Sequence, residues 1–285
     1  MAVRDAETLP ALFAARPWLA VGAAALAPAM AVPSMLSYEE SQLYHWLGTT
    51  AQGFGATVDL GAFAGGSAAR LLSGLSGGLS EGGRPHHLHG YDHFTADAAA
   101  RARHLSPGGV ALTDQNDILP LVNHLLQPWA GQYTLHRGDI ATQVWTGGPI
   151  EILAIDAAKN TATADHIAAT FFPALVPGRS IVVHQDFLHA RQPWLCVQMQ
   201  LLAAHFVPLA QVAEDCVVFL HTAAVTRQAM SAAKTDALTD AKLLSGVRAA
   251  ARHYAPMIAG RRFGAMVGRI QANPGIRAAW GMRNS

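Results

Sequence analysis

Cysteine is almost missing from this chain of 285 residues. Only Cys196 and Cys216 occur, at no zinc-ligand spacing and too few for a disulfide framework. Charge is scarce as well. Asp, Glu, Lys and Arg make up 14% of the residues and balance to a net +1, which argues against a general attraction to nucleic acid. With 51% apolar residues the chain reads as globular and well buried, not disordered. It also lacks an unbroken apolar run of the roughly 20 residues that cross a bilayer. Residues 18–32 come nearest and end in small residues as a signal segment does. Pro28 interrupts them, however, and Asp5 and Glu7 make the leading stretch acidic where a signal is basic. The expectation is a helix packed on a domain, no membrane span, and a cytoplasmic protein.

What is present is organised around residues 56–72. Thr57 to Leu60 is a short apolar run, read as a buried parallel strand. It leads into a turn with Gly61, Gly65 and Gly66, then into Ala/Leu-rich helix. Such a turn lets a ligand approach the backbone, and the helix points its free N–H groups back at it. A dinucleotide fold would need G-x-G-x-x-G, but Phe63 stands at the second glycine. Asp59 would meet a pyrophosphate with the wrong sign of charge and suits a ligand carrying an ammonium group.

Residues 86–92 form a second candidate strand that ends at Tyr91-Asp92. Asp92 lies 31 residues after Gly61, placed to accept hydrogen bonds from ribose hydroxyls; it could equally cap a helix from Thr95. His86, His87, His89 and His93 invite a metal reading, since His87 and His89 share a strand face. No cysteine or acid stands near them at ligand spacing.

Elsewhere the pattern predicts helices over 8–15, 18–27 and 37–47, the third opened by a Ser37/Glu40 capping box. A loop over 73–85 and a helix over 95–104 follow, with a break at 107–109. Asp114 or Asp117 caps a helix to Leu126, and 132–135 alternates as a strand before Gly138-Asp139-Ile140. Residues 149–156 are a buried strand ending in Asp156. A helix over 161–172, capped by Thr161 or Thr163, and a Leu-x-Pro-Gly turn lead to another strand over 180–187. A helix over 193–206 and a strand over 216–220 complete the pattern. Beyond Thr222 the chain is helical and basic, read as a solvated face or a dimer arm.

Taken together, Asp59-x-Gly61 with Gly65-Gly66-Ser67, Tyr91-Asp92-x-Phe94, Gly138-Asp139-Ile140 and the strand–helix–strand phrase of 149–187 resemble class I S-adenosylmethionine (SAM) dependent methyltransferases. The resemblance covers roughly residues 55–221 and is to small-molecule and sugar O-methyltransferases, of the catechol/caffeoyl-CoA and macrocin types. It implies an α/β fold: a doubly wound, mostly parallel, seven-stranded Rossmann-like sheet with helical extensions. The expected parts are an N-terminal helical cap (1–50), a SAM-binding core (51–222) and a basic helical extension (223–285). It also implies SAM contacts from Asp59, Gly61, Ala62, Phe63, Gly65, Ser67, Asp92, His93, Asp139, Ile140 and Asp156.

In the cation-dependent members the fourth strand gives Asp-x-x-Lys, matched by Asp156 and Lys159. The acid binds a divalent metal and the lysine is a candidate general base. The fifth strand there ends in two metal-binding residues, Asp-Asn or Asp-Asp, where this chain has Gln185-Asp186. Asp156, Gln185 and Asp186 would form a cage for Mg²⁺ weaker by one charge. Alternatively His184 or His189 is the base of a metal-independent site. The expected activity is methylation of a hydroxyl on a small-molecule acceptor or sugar, with homo-oligomerisation left open. The alternatives are a non-catalytic binding or scaffold protein on the same fold, favoured by Gln185, and a nicotinamide-dependent enzyme, disfavoured by Phe63.

Overall fold

The structure, a computed structural model, describes residues 8–76, 86–105 and 116–283. Seven strands form one sheet in the order β3-β2-β1-β4-β5-β7-β6. They are β1 (Ala56–Leu60), β2 (Leu88–Asp92), β3 (Tyr133–Arg137), β4 (Ile150–Ile155), β5 (Ile181–His184), β6 (Phe206–Val212) and β7 (Cys216–His221). β1, β2 and β3 pair in parallel, whereas β7 runs antiparallel to both β5 and β6. This is the mostly parallel, Rossmann-like sheet that the resemblance implies, with its closing hairpin. The chain divides into two compact units, one of residues 15–142 with 147–153, the other of residues 1–14, 143–146 and 154–285.

In the first unit, α2 (Ala23–Met30), α3 (Tyr38–Thr49) and α4 (Gly66–Leu75) accompany β1 to β3. The capping box forms as expected: Glu40 N–H donates to Ser37 Oγ, and Ser37 N–H donates to Glu40. The helix expected over 18–27 is instead a 3-10 turn at Pro17–Ala20 followed by α2, because Val21 is extended and Gly22 caps the new helix. α4 runs on to Leu75 into what was expected to be loop; the rest of that loop, 77–85, and the break at 107–109 lie outside the described residues.

α3 and α4 meet through glycines. A Cβ on Gly74 would stand 2.1 Å from the His45 carbonyl oxygen, and one on Gly48 would stand 2.4 Å from that of Leu71. Backbone cannot yield there as a flexible side chain can. Gly74→Ala is therefore expected to destabilise the protein by about 1–3 kcal/mol despite alanine's better helix propensity. Urea unfolding checks this, and an unchanged or raised midpoint would show that the two helices can part freely.

In the second unit, α7 (Thr161–Phe171) is capped by Asn160, whose side chain accepts from Thr163 N–H, so the cap falls one residue before the expected threonines. α8 (Pro193–Leu201) ends short of the expected 206, because Phe206–Val212 pairs with β7. The register slips between Pro208 and Ala210, as a proline lacking an N–H requires. α10 (Asp240–His253) and α11 (Gly260–Ala272) each bury one apolar face: Leu243, Val247 and Ala250 on the first, Phe263, Met266 and Ile270 on the second. Tyr254 meets Phe187 edge-on at 5.3 Å and stacks on Phe263 at 6.4 Å. Asp165 accepts from the N–H groups of Thr235 and Asp236. The basic C-terminal stretch is thus built into this unit. Among the described residues no helix is long and apolar enough to cross a membrane.

Candidate functional site

The glycine turn lies in the first unit. β1 is buried throughout its last four residues, which fixes where the chain emerges, and Gly61 (φ 99°) and Gly65 (φ 83°) then take left-handed conformations. Phe63 between them is also left-handed at φ 45°, a strained choice for a residue with a Cβ. The carboxylate of Asp92 holds it. Phe63 N–H donates to Asp92 Oδ2 at 3.1 Å, and Phe94 N–H, from a second left-handed residue, donates to Oδ1 at 2.7 Å. Gly61 and Ala62 N–H both donate to the Tyr91 carbonyl, stitching the turn to the end of β2. Burial pushes the Asp92 carboxyl up, while these backbone N–H groups pull it back.

Asp59 is 2% exposed, and Ser67 Oγ donates to its Oδ2 at 2.6 Å. The two expected SAM contacts are therefore coupled: the buried carboxyl fixes the hydroxyl of the first helical turn. Ala62 is buried, His93 and Asp139 are exposed, and Ile140 is half-buried. Asp139 accepts from Ala141 N–H and so closes its own turn.

Sequence reasoning missed Arg70. Its guanidinium is buried on α4 and donates to the carbonyls of Ala29, Val32 and Gly66 and to Ser41 Oγ. Burial lowers it to about 10, still charged at neutral pH. A cation at the end of α2 is well placed against that helix's carbonyls. It draws the segment after α2 over the start of α4, where a Cβ on Gly66 would stand 2.4 Å from the Pro33 oxygen. The only sequence signal is an arginine inside an otherwise apolar helical run.

His87, just before β2, and His89 on it lie together, their rings 5.0 Å apart. They face partners that sequence spacing did not suggest. His89 Nδ1 lies 3.0 Å from His136 Nε2 on β3, His136 stacks on Tyr91 at 4.3 Å, and His87 Nε2 bonds Thr134 Oγ1. The ring nitrogens meet one another and a hydroxyl, not a common centre. Burial, then the neighbouring imidazoles, bring His89 down to about 4.

The second unit carries the acid–lysine cluster. Lys159 Nζ bonds both Asp156 Oδ1 and Asp186 Oδ2. Gln192, at the start of α8, donates to the same Asp186 oxygen at 2.6 Å. Trp194 Nε1–H donates to the Ala158 carbonyl, fixing the turn that presents the lysine. Gln185 N–H donates to the Ile155 carbonyl. His184 is buried, its Nδ1 without a hydrogen-bond partner among the described residues, as are His189 Nδ1 and the Gln192 side-chain oxygen.

The electrostatics separate the two acids. Burial raises Asp156 to about 6, with Asp186 adding repulsion and Lys159 opposing both. Burial acts upward on Asp186 too, but Lys159 and Gln192 outweigh it and hold this carboxyl below its usual value. For Lys159, burial acts downward and the two carboxylates more than reverse it, so the ammonium keeps its proton. Burial takes His184 down to about 4, so its imidazole is neutral.

These residues do not fit the expected Mg²⁺ cage. An ammonium already lies between the two carboxylates, and a dication would have to displace it. Among the described residues no group of three or more His, Cys, Asp or Glu is arranged to hold a metal ion.

No family model matches the chain, and no curated protein sequence matches it. Solved structures do. The O-methyltransferase NovP is 14% identical with a TM-score of 0.51, over 67% of this chain and 82% of that one. The O-methyltransferase TomG from Streptomyces achromogenes, involved in tomaymycin synthesis and solved with SAM, is 15% identical with a TM-score of 0.45, over 78% of this chain and all 100% of that one. An O-methyltransferase from Bacillus cereus, solved with S-adenosylhomocysteine (SAH), is 14% identical with a TM-score of 0.44, over 76% and 100%. The likeness to NovP, with the strand order above, shows the fold: a Rossmann-like methyltransferase fold.

Proposed function

We propose that this chain is a SAM-dependent methyltransferase acting on a hydroxyl of a small molecule. The observation that carries the reading is the glycine turn, held in a strained shape by Asp92 on a methyltransferase fold. The residues there suit SAM. The Asp92 carboxylate, which accepts backbone N–H groups at the turn, is the acceptor suited to a ribose hydroxyl. The acidic side chain of Asp59, with Ser67 fixed on it, suits a cationic group near the turn. Ile140 offers apolar surface suited to an adenine.

When bound, SAM would supply an activated methyl group, so the protein's work is to orient the acceptor and take up its proton. Asp156 is the group best tuned for that proton, because it titrates nearer neutrality than Asp186 and is partly open to solvent. Lys159 and Gln192 keep Asp186 ionised and fix its position. Lys159 then serves as a charge partner and not as the base that the family pattern implies. His184 is the weaker base by its buried, lowered imidazole. One observation favours the non-catalytic alternative: both acids are already engaged by Lys159.

Calorimetric titration with SAM and SAH, with and without Mg²⁺, tests the reading. Micromolar binding of both, indifferent to Mg²⁺, is expected. No binding of either would leave a borrowed fold, and tight NADH binding would restore the nicotinamide alternative.

A further inference from the structure

The C-terminal stretch does more than pack. Thr161 N–H donates to the Arg277 carbonyl at 3.1 Å, Ala279 N–H donates to the Lys159 carbonyl at 2.9 Å, and Asn160 and Ala278 form an antiparallel bridge between them. The loop over 274–282 is thereby clipped, backbone to backbone, onto the segment that presents the cluster lysine. Its ends are tied to each other. Arg283 N–H donates to Asn273 Oδ1 at 2.8 Å, and Asn273 Nδ2 donates back to the Arg283 carbonyl. Gly275 N–H donates to Asp240, and Arg277 bonds both Asp240 and the Leu238 carbonyl. Met282 is buried beneath it.

This braced loop holds Trp280 at 72% exposure, the most exposed large apolar side chain among the described residues. Leaving such a side chain in water forgoes about 1.5–3 kcal/mol of burial. A fraying terminus can leave an indole exposed by default, but a loop tied at both ends and in the middle presents it in a fixed place. That place is one residue from the bond to Lys159.

We propose that Trp280 is the acceptor-recognition residue, stacking its indole on a planar aromatic acceptor whose hydroxyl is handed to the Asp156–Lys159–Asp186 cluster. The proposal rests on the methyltransferase reading. Stacking favours an aromatic acceptor over a saturated one. Indole and aromatic rings attract through offset stacking beyond simple burial.

The test uses the full chain labelled with 5-fluorotryptophan and saturated with SAH. The Trp280 resonance is assigned from Trp280→Phe, and 2,3-dihydroxynaphthalene or methyl α-glucopyranoside is then added. The naphthalene diol is expected to move the Trp280 resonance saturably, while the glucoside does not. Trp280→Ala should weaken diol binding about tenfold or more and leave SAH affinity within twofold, with Trp280→Phe retaining most of the binding. The proposal is overturned if neither probe moves that resonance, if the glucoside does so equally, or if Trp280→Ala leaves diol affinity unchanged. It is also overturned if sedimentation shows a dimer that Trp280→Ala converts to monomer, which would make the indole a subunit contact. Failure of SAH to bind at the outset would instead bring down the methyltransferase reading and this proposal with it.

Discussion

Replacing Asp92 with asparagine is expected to weaken SAM binding by about 10–100-fold. The carboxylate accepts from Phe63 and Phe94 N–H, one on each oxygen, and both donors are left-handed residues that carry side chains. An asparagine of the same shape can accept on one side only, and its amide nitrogen then meets a backbone N–H donor to donor. One of the two residues loses the bond that compensates its strained φ, a conformation costing about 1–2 kcal/mol in a residue with a Cβ. The ligand loses a charged acceptor as well, and a hydrogen bond to a charged group contributes about 1.5–3 kcal/mol, which sets the range of the affinity loss. Calorimetry on the folded variant checks this, with circular dichroism to confirm the fold. An affinity within twofold of the wild type would remove Asp92 from the cofactor site and leave it as the brace of the turn alone.

The parts legible in the sequence were those whose causes are local. β1, β4 and β5 are mostly apolar and almost wholly buried because strands covered on both faces need apolar side chains, and the glycine turn after β1 sits between strand and helix signals only a few residues apart. Asp156 and Lys159 are legible as a pair by their spacing. That Lys159 also reaches Asp186 depends on β4 and β5 lying side by side, which the family pattern supplied and periodicity could not. Arg70 was invisible because an arginine defaults to the surface, and only tertiary packing brings the Ala29 and Val32 carbonyls and Ser41 Oγ to it. His136 joins His89 and Tyr91 of β2 through parallel register, and the segment carrying Trp280 is bonded to Lys159 through a bridge between segments far apart in sequence. In each case the missing information was which distant backbone lies alongside.

Lys159→Met carries the second large expectation. The ammonium is the shared partner of two carboxylates that already repel each other, and methionine keeps much of the packing while removing the charge. Two close carboxylates without a cation cannot both stay ionised cheaply, so the folded-state values of Asp156 and Asp186 should both move upward. The sign for stability follows. A carboxyl whose folded value lies above its unfolded value contributes stability that is fully present below the unfolded value, near 4, and lost as pH rises through the folded one. The variant should therefore match the wild type most closely near pH 4 and fall behind it above pH 6. Because all three side chains are partly open to solvent, the deficit at pH 7–8 should be about 1–2 kcal/mol, not the several that a closed pair would lose. Thermal melts from pH 4 to 9 check the profile, with Lys159→Arg keeping the charge as the control. Carboxyl NMR should place the Asp156 titration above its wild-type position. A stability deficit that is the same at every pH would mean that Lys159 acts through packing, and Asp156 would lose its claim to the proton.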